Sequence, residues 1–308
     1  MRIVSLLPSA TEIVFALGLG EELVGRTQAC DYPPEASAVP VVTRSSVPAN
    51  LAGHDMDLSP RHGLHVGGAP YQLDPGALQA AAPDLVLTQD VGDACGIARA
   101  QVARALRSSG TEAEVVSLEP TSIEGILHTI TTIGAMTSAE DEAIGLVELL
   151  RERLGAIEEQ VQQRRSAGVH ARRVVALEWI DPPFTSGHWV PEQIRRAGGW
   201  DVLGREGQRA AETSWRAVME VDPDQVLLIP CGRDAQEAAA EWARSSRPAG
   251  WEDLRAVRHG EVFALDARAY FTRPSPRVIE GIAMLAELFD PQGFVDQAPA
   301  DAWIPVGP

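Results

Sequence analysis

The sequence predicts an α/β protein of two similar lobes, each with a central, mostly parallel sheet, joined by a long rigid interdomain helix. Three observations carry this. Apolar runs of strand length alternate with helical stretches along most of the 308 residues, the signature of βαβ units. That alternation occurs twice in the same order. Between the two occurrences, residues 121–168 carry apolar side chains at helical spacing. The predicted organisation is an N-terminal lobe over 1–120, a linking helix over 121–168 and a C-terminal lobe over 169–308.

The echo can be followed element by element. RIVSLLPSATEIVFALGLGEELVGR reads as a strand from Ile3 to Leu7, a turn at Pro8, a helix, a Gly-containing turn and a short strand. RRVVALEWIDPPFTSGHWVPEQIRRAGGWDVLGR repeats that order. Ser9 and Glu12 have the spacing of a capping box for the first helix. LDPGALQAAAPDLVLTQ gives a helix, a Pro-Asp turn and a buried strand, and SWRAVMEVDPDQVLLIP follows the same plan. ARAQVARALRSSGTEAEVVSL and PAGWEDLRAVRHGEVFALD then each add a helix and a strand. In the link, Gly134 and Ser138 mark points where the chain can bend or divide. From Ala139 to Arg165 there is no Pro and there are only two Gly, so one long helix is expected, stiffer than a Gly/Ser linker.

Composition excludes several classes of function. A net charge of −17 opposes nucleic acid and anionic membrane surfaces, which attract clustered positive charge. No run approaches the roughly 18 apolar residues of a membrane span. The apolar opening is interrupted by Glu12 and lacks a cleavage site of small residues. The chain as written is therefore expected in the cytoplasm, and outside it only if an upstream signal has been removed. Three cysteines, an odd number, make a structural disulfide a poor expectation in that compartment.

Each cysteine follows an apolar run of strand type: Cys30 after ELVGRTQA, Cys95 after DLVLTQDVGDA and Cys231 after QVLLIP. Open α/β sheets place ligand sites beyond the carboxyl ends of their strands. With His188 of TSGHW, the three thiols could form a tetrahedral set for zinc or copper(I), although no CxxC pair is present. His54, His62 and His65 lie in a Pro/Gly-rich insertion and read as surface loop. Tyr71, Trp179, Phe184, Trp189, Trp215 and Tyr270 fall in or beside predicted loops and helix starts, where flat rings suit a large planar ligand. Gln89, Glu178 and Arg273 are placed to orient such a ligand. Ser186 and His188 are two residues apart, but no G-x-S-x-G elbow and no phosphate-binding loop accompany them. Catalysis has no positive motif.

RIVSLLPSATEIVFALGLGEELVG, PDLVLTQ, PFTSGHWVPEQIRRAGG, WRAVMEVDPDQVLLIP and GEVFALDARAYFTRPSPRVIEGIAMLA together resemble the helical-backbone, class III substrate-binding proteins. That family serves importers of vitamin B12, iron siderophores and haem. The likeness covers nearly the whole chain, and is greatest to the cobalamin-binding members in a cytosolic-looking branch. It implies a non-catalytic binder holding a corrinoid between two lobes, with Tyr71, Phe184 and Trp215 at positions that line the corrin cleft. A small-molecule ligand is implied, and an ABC permease partner if the protein is exported. Siderophore and haem remain open as ligands. A metal-dependent enzyme or metal carrier using Cys30, Cys95, His188 and Cys231 is the alternative from another class.

Overall fold

The computed structural model describes residues 1–45, 71–89, 97–299 and 301–307. The chain divides into two compact units: Met1–Glu119 with His128–Val147, and Pro120–Leu127 with Glu148–Pro308.

The first unit is built on four parallel strands in the order β2-β1-β5-β6, where β1 is Ile3–Ser5, β2 Leu23–Arg26, β5 Leu85–Thr88 and β6 Glu114–Ser117. β1 and β5 are buried along their whole length. Their continuous apolar composition is that of strands covered on both faces. Val4, Val86, Leu78, Val102 and Leu106 pack together in the core, drawing on the helices Pro75–Ala81 and Arg99–Ser109. A separate antiparallel pair joins β3 (Thr43–Ser45) and β4 (Tyr71–Leu73). The first helix, Pro8–Ala16, starts one residue before Ser9, with Leu7 at its N-cap and no side-chain cap. The expected capping box is therefore absent. Pro8 occupies the first turn, where its missing N–H costs nothing, and Thr11 Oγ1 donates to Leu7 O at 3.1 Å.

The second unit repeats that plan. β7 (Arg172–Ile180), β9 (Gly199–Asp201), β10 (Gln225–Leu228) and β11 (Val262–Leu265) form a parallel core in the order β9-β7-β10-β11. Two antiparallel strands extend it: β8 (Pro183–Thr185) against the carboxyl half of β7, and β12 (Trp303–Pro305) against β11. Its core gathers Val175, Leu177, Val226, Leu228 and Val262 with Trp242 and Trp251.

Residues 121–168 form two helices in place of one, Ile123–Thr137 and Glu140–Ser166. Ser138 breaks them at φ 56, a left-handed conformation that a continuing helix cannot hold. Gly134 lets them approach there, since a Cβ on it would fall 2.4 Å from that of Ala143.

Candidate functional site

In the second unit, the carboxyl ends of β7 and β10 and the chain after β11 are stitched together by hydrogen bonds. β7 is long enough to run past its parallel partner, so Glu178 and Trp179 lie beyond the ladder to β10, which ends at Leu177. There the Cys231 N–H donates to the Glu178 carbonyl at 3.1 Å. The Glu178 side chain accepts the Gly187 N–H at 2.8 Å, drawing the TSGHW loop onto the same edge. Arg268 N–H donates to Arg233 O at 2.9 Å, and Gly232 N–H reaches Thr272 Oγ1 at 3.5 Å. Glu178, Cys231 and the segment 268–272 thus share one edge, and Tyr270 belongs to that segment.

Trp179 and Phe184 are cross-strand partners on the β7–β8 hairpin, and both are half-buried. Such pairs stabilise a hairpin by about 0.2–1 kcal/mol, and here they leave aromatic surface open. The chain returning past β8 forms a third rung, with Phe184 bridged to Glu212 and Thr213 N–H donating to Pro183 O at 2.9 Å. Two residues later Trp215 opens the helix Trp215–Val221, capped by Ser214 accepting from Ala217 N at 3.1 Å.

The TSGHW loop is held from three sides. Ser186 Oγ donates to Asp201 Oδ2 at 2.5 Å, while Asp201 Oδ1 accepts the N–H groups of Leu203 and Gly204 at 3.1 and 2.8 Å. Burial pushes the Asp201 carboxyl above its ordinary range, and these hydrogen bonds oppose the shift. His188 sits at φ 52 and pairs its backbone both ways with the next loop, donating to Gln208 O at 2.5 Å and accepting from Gly207 N at 2.8 Å. Gly187 lies so close that a Cβ would fall 2.2 Å from the Ala210 nitrogen. Only glycine fits this loop against 208–210.

The remaining predicted residues divide. Trp189 is 7% exposed, and its indole N–H donates to Phe271 O at 2.7 Å, so it packs the loop onto the segment after β11. Tyr270 is half-buried with the Arg277 guanidinium 5.9 Å from its ring centroid. Burial, with Glu280 and Asp266 nearby, pushes its phenol up, keeping it a neutral donor. Arg273 is half-buried in the turn before the last helix, where its carbonyl accepts Ser275 N–H at 2.9 Å. In the first unit, Gln89 directly follows β5 and is half-buried, and Tyr71 opens β4.

Cys30 is fully buried in the first unit, its Sγ 3.3 Å from Thr27 Oγ1. It packs as a small apolar side chain, the ordinary state of a free cysteine. Cys95 lies outside the described residues, as do His54, His62 and His65. Cys231 and His188 belong to the second unit. Among the described residues, no group of three or more His, Cys, Asp or Glu could hold a metal ion. The zinc or copper set therefore finds no support.

Gly187 and Asp201 are not singled out by the sequence, nor are the two tryptophans that pack behind Trp215, and Ser186, weighed there only beside His188, instead holds Asp201. Gly187 carried a signal in the Ser-Gly step of TSGHW, whereas Asp201 had none beyond ending the short strand GWD.

Two units of one strand order, with polar and aromatic residues gathered beyond the carboxyl ends of parallel strands, define a two-lobed α/β protein of the ligand-binding kind. No helix among the described residues is long and apolar enough to cross a membrane. The chain belongs to the periplasmic binding protein family, whose model matches residues 3–269. It is 27% identical over 302 residues to an uncharacterized ABC transporter substrate-binding lipoprotein of Bacillus subtilis, covering 95% of this chain and 81% of that one. It is 27% identical over 293 residues to a cobalamin-binding protein of Halobacterium salinarum, covering 94% and 69%. Among solved structures, a periplasmic haem-binding protein of Pseudomonas aeruginosa matches with a TM-score of 0.69 at 21% identity, over 94% of this chain and 93% of that one. At that identity the match speaks for the fold.

Membership makes this a non-catalytic, ABC transporter-related substrate-binding protein. It also corrects the expected location. A family described as periplasmic, with a lipoprotein among the relatives, places such proteins outside the cytoplasm. The apolar opening, which has the composition of a leader, forms the first strand and helix of the fold.

Proposed function

We propose that the protein binds a corrinoid of the cobalamin type and delivers it to an ABC permease. One observation carries the geometric side of this reading: the half-buried rings of Trp179 and Phe184 stand as a cross-strand pair beside Glu178 and Cys231 at one sheet edge. A corrin is a large, flat, mostly apolar ring edged with amides. Aromatic faces match its plane, and Glu178, Tyr270 and Arg273 supply polar groups for its rim. The cobalamin-binding relative supports the same choice across 94% of the chain. In the first unit, Tyr71 and Gln89 are the residues assigned to the ligand.

Nanomolar affinity requires about 12 kcal/mol of net binding free energy, within reach of stacked aromatics on a preformed edge. Titration with hydroxocobalamin, followed by visible absorption and calorimetry, is expected to saturate at one ligand per chain. A flat titration overturns the reading. The haem-binding structural neighbour favours a second reading, in which the same rings stack a porphyrin. Haemin titrated in parallel separates the two, since the ligand that saturates at the lower concentration is the physiological class.

A further inference from the structure

Behind Trp215 lies a cluster that the ligand reading does not use. Trp242, on the helix Ala235–Arg244, and Trp251 are each 1% exposed. Their ring centroids are 4.7 Å apart and inclined at 56°. Trp215 meets both, at 5.8 Å and 52° to Trp242 and at 5.7 Å and 82° to Trp251. The Arg247 guanidinium carbon is 3.9 Å from the Trp242 ring centroid, and its Nη1 donates to the Trp242 and Ser245 carbonyls at 2.6 and 3.0 Å. The N–H groups of both buried indoles and of Arg247 Nε have no hydrogen-bond acceptor among the described residues.

Buried donors without an oxygen partner turn to neighbouring π faces, and tilted and edge-to-face ring pairs are the geometries that offer them. The orientation of each ring is then tied to the others. Trp215 is the only half-buried member of the three, and it stands at the start of its helix, next to the β7–β8 hairpin that carries Trp179 and Phe184. Its backbone is fixed by the Ser214 cap and the rung along β8. Its ring is fixed by the cluster.

We propose that Trp242 and Trp251, with Arg247 stacked on Trp242, are positioning residues that lock Trp215 as a flat platform for the ligand's ring system. The proposal rests on the planar-ligand reading of the site. A preformed platform loses little rotamer entropy on binding, so the benefit falls on affinity even though neither buried ring touches ligand.

The test uses the whole protein labelled with 5-fluorotryptophan, with the Trp215 resonance assigned through Trp215→Phe. In Trp242→Leu and Trp251→Leu, the Trp215 fluorine line is expected to shift and broaden without ligand. Hydroxocobalamin affinity is expected to fall about tenfold, and Trp242→Phe, which keeps a flat ring, should recover most of it. In a Trp215→Leu background, Trp251→Leu should weaken binding no further, because coupled residues are non-additive. An unmoved Trp215 line, or an undiminished effect of Trp251→Leu in that background, overturns the positioning role alone. If the unaltered protein binds neither hydroxocobalamin nor haemin, the site reading falls and the platform falls with it.

Discussion

At the amino edge of each sheet, an arginine and an aspartate make the same closure. In the first lobe Arg2 N–H donates to Asp84 Oδ2 at 2.8 Å while Asp84 N–H donates to Arg2 O at 2.8 Å. In the second, Arg173 N–H donates to Asp224 Oδ2 at 3.0 Å and Asp224 N–H to Arg173 O at 2.8 Å. The guanidinium groups match as well, Arg2 reaching the Ala81 and Ala82 carbonyls and Arg173 those of Val221 and Asp222. Both helix ends turn through a left-handed residue, Ala82 at φ 40 and Asp222 at φ 41, each followed by proline. Among the described residues, the carboxyl edges share nothing so detailed. All seven tryptophans of the chain lie in the second lobe, and, among the described residues, only there does an antiparallel hairpin extend a strand of the parallel sheet. The amino edge repeats because it closes the sheet, whereas the carboxyl edge of an open α/β sheet is where such folds diverge for their ligands.

Substitutions can test this division, and the largest effect is expected in the tryptophan cluster. Trp242→Ala should cost about 3–5 kcal/mol, the usual penalty for deleting a buried aromatic ring. Amide hydrogen exchange should show protection lost in β7 and β10 before β1 and β5. Equal loss in both lobes would break the comparison. Gly187→Ala forces backbone atoms of 208–210 to move and should cost about 2–3 kcal/mol. It should also abolish ligand binding, as read by absorption titration, while the amino-edge closures keep their exchange protection.

The closures themselves predict a smaller, graded pair. Asp224→Ala should cost about 1–2 kcal/mol and Asp84→Ala about half of that, because Asp224 also pairs with Arg255 at 2.8 Å whereas Asp84 is exposed. Urea unfolding of the single and double variants should show additivity within about 0.5 kcal/mol. Burial pulls the Asp224 carboxyl upward, but the Arg173 N–H and the Arg255 guanidinium win and hold it below its usual value. Its stabilising contribution is therefore present above the unfolded carboxylate pKa of about 3.9 and disappears as pH falls through the folded value.

Asp201 has the opposite sign and the smallest effect. Its folded pKa is raised, so its contribution is full below about pH 3.9 and declines as pH rises through the folded value. Asp201→Asn keeps an acceptor for the Leu203 and Gly204 N–H groups and removes the buried charge. It should raise thermal stability near neutral pH by up to about 1 kcal/mol and flatten the pH dependence. A clear loss of stability would show that the ionised Ser186–Asp201 pair holds the loop.

Much of the fold was legible because its signals are local. Val86 and Val226 sit in apolar runs of strand length, each introduced by a Pro-Asp step, and the two copies reinforced each other. Ser138 is legible as a point of division, yet the close approach of Gly134 to Ala143 beside its left-handed turn is not, since spacing alone does not reveal it. Glu178 and Cys231 could be placed at strand ends from their runs. Ser186 with Asp201, 15 residues apart, and Trp215 with Trp242 and Trp251 could not, since those contacts are made by tertiary packing. The cytoplasmic expectation failed for a different reason: it was read from the opening residues, which fold as the first strand and helix, whereas the family and its lipoprotein relative point outside the cytoplasm.

The confinement of tryptophan to one lobe has a spectroscopic consequence. Excitation near the red edge of protein absorption selects indole over phenol, so the intrinsic emission of this chain is a record of its second lobe alone. A fluorescence-detected melt will be silent about the first sheet, while far-ultraviolet dichroism averages both. Where the two curves part, the gap measures how independently the halves of an internally repeated protein come apart, without a label being added.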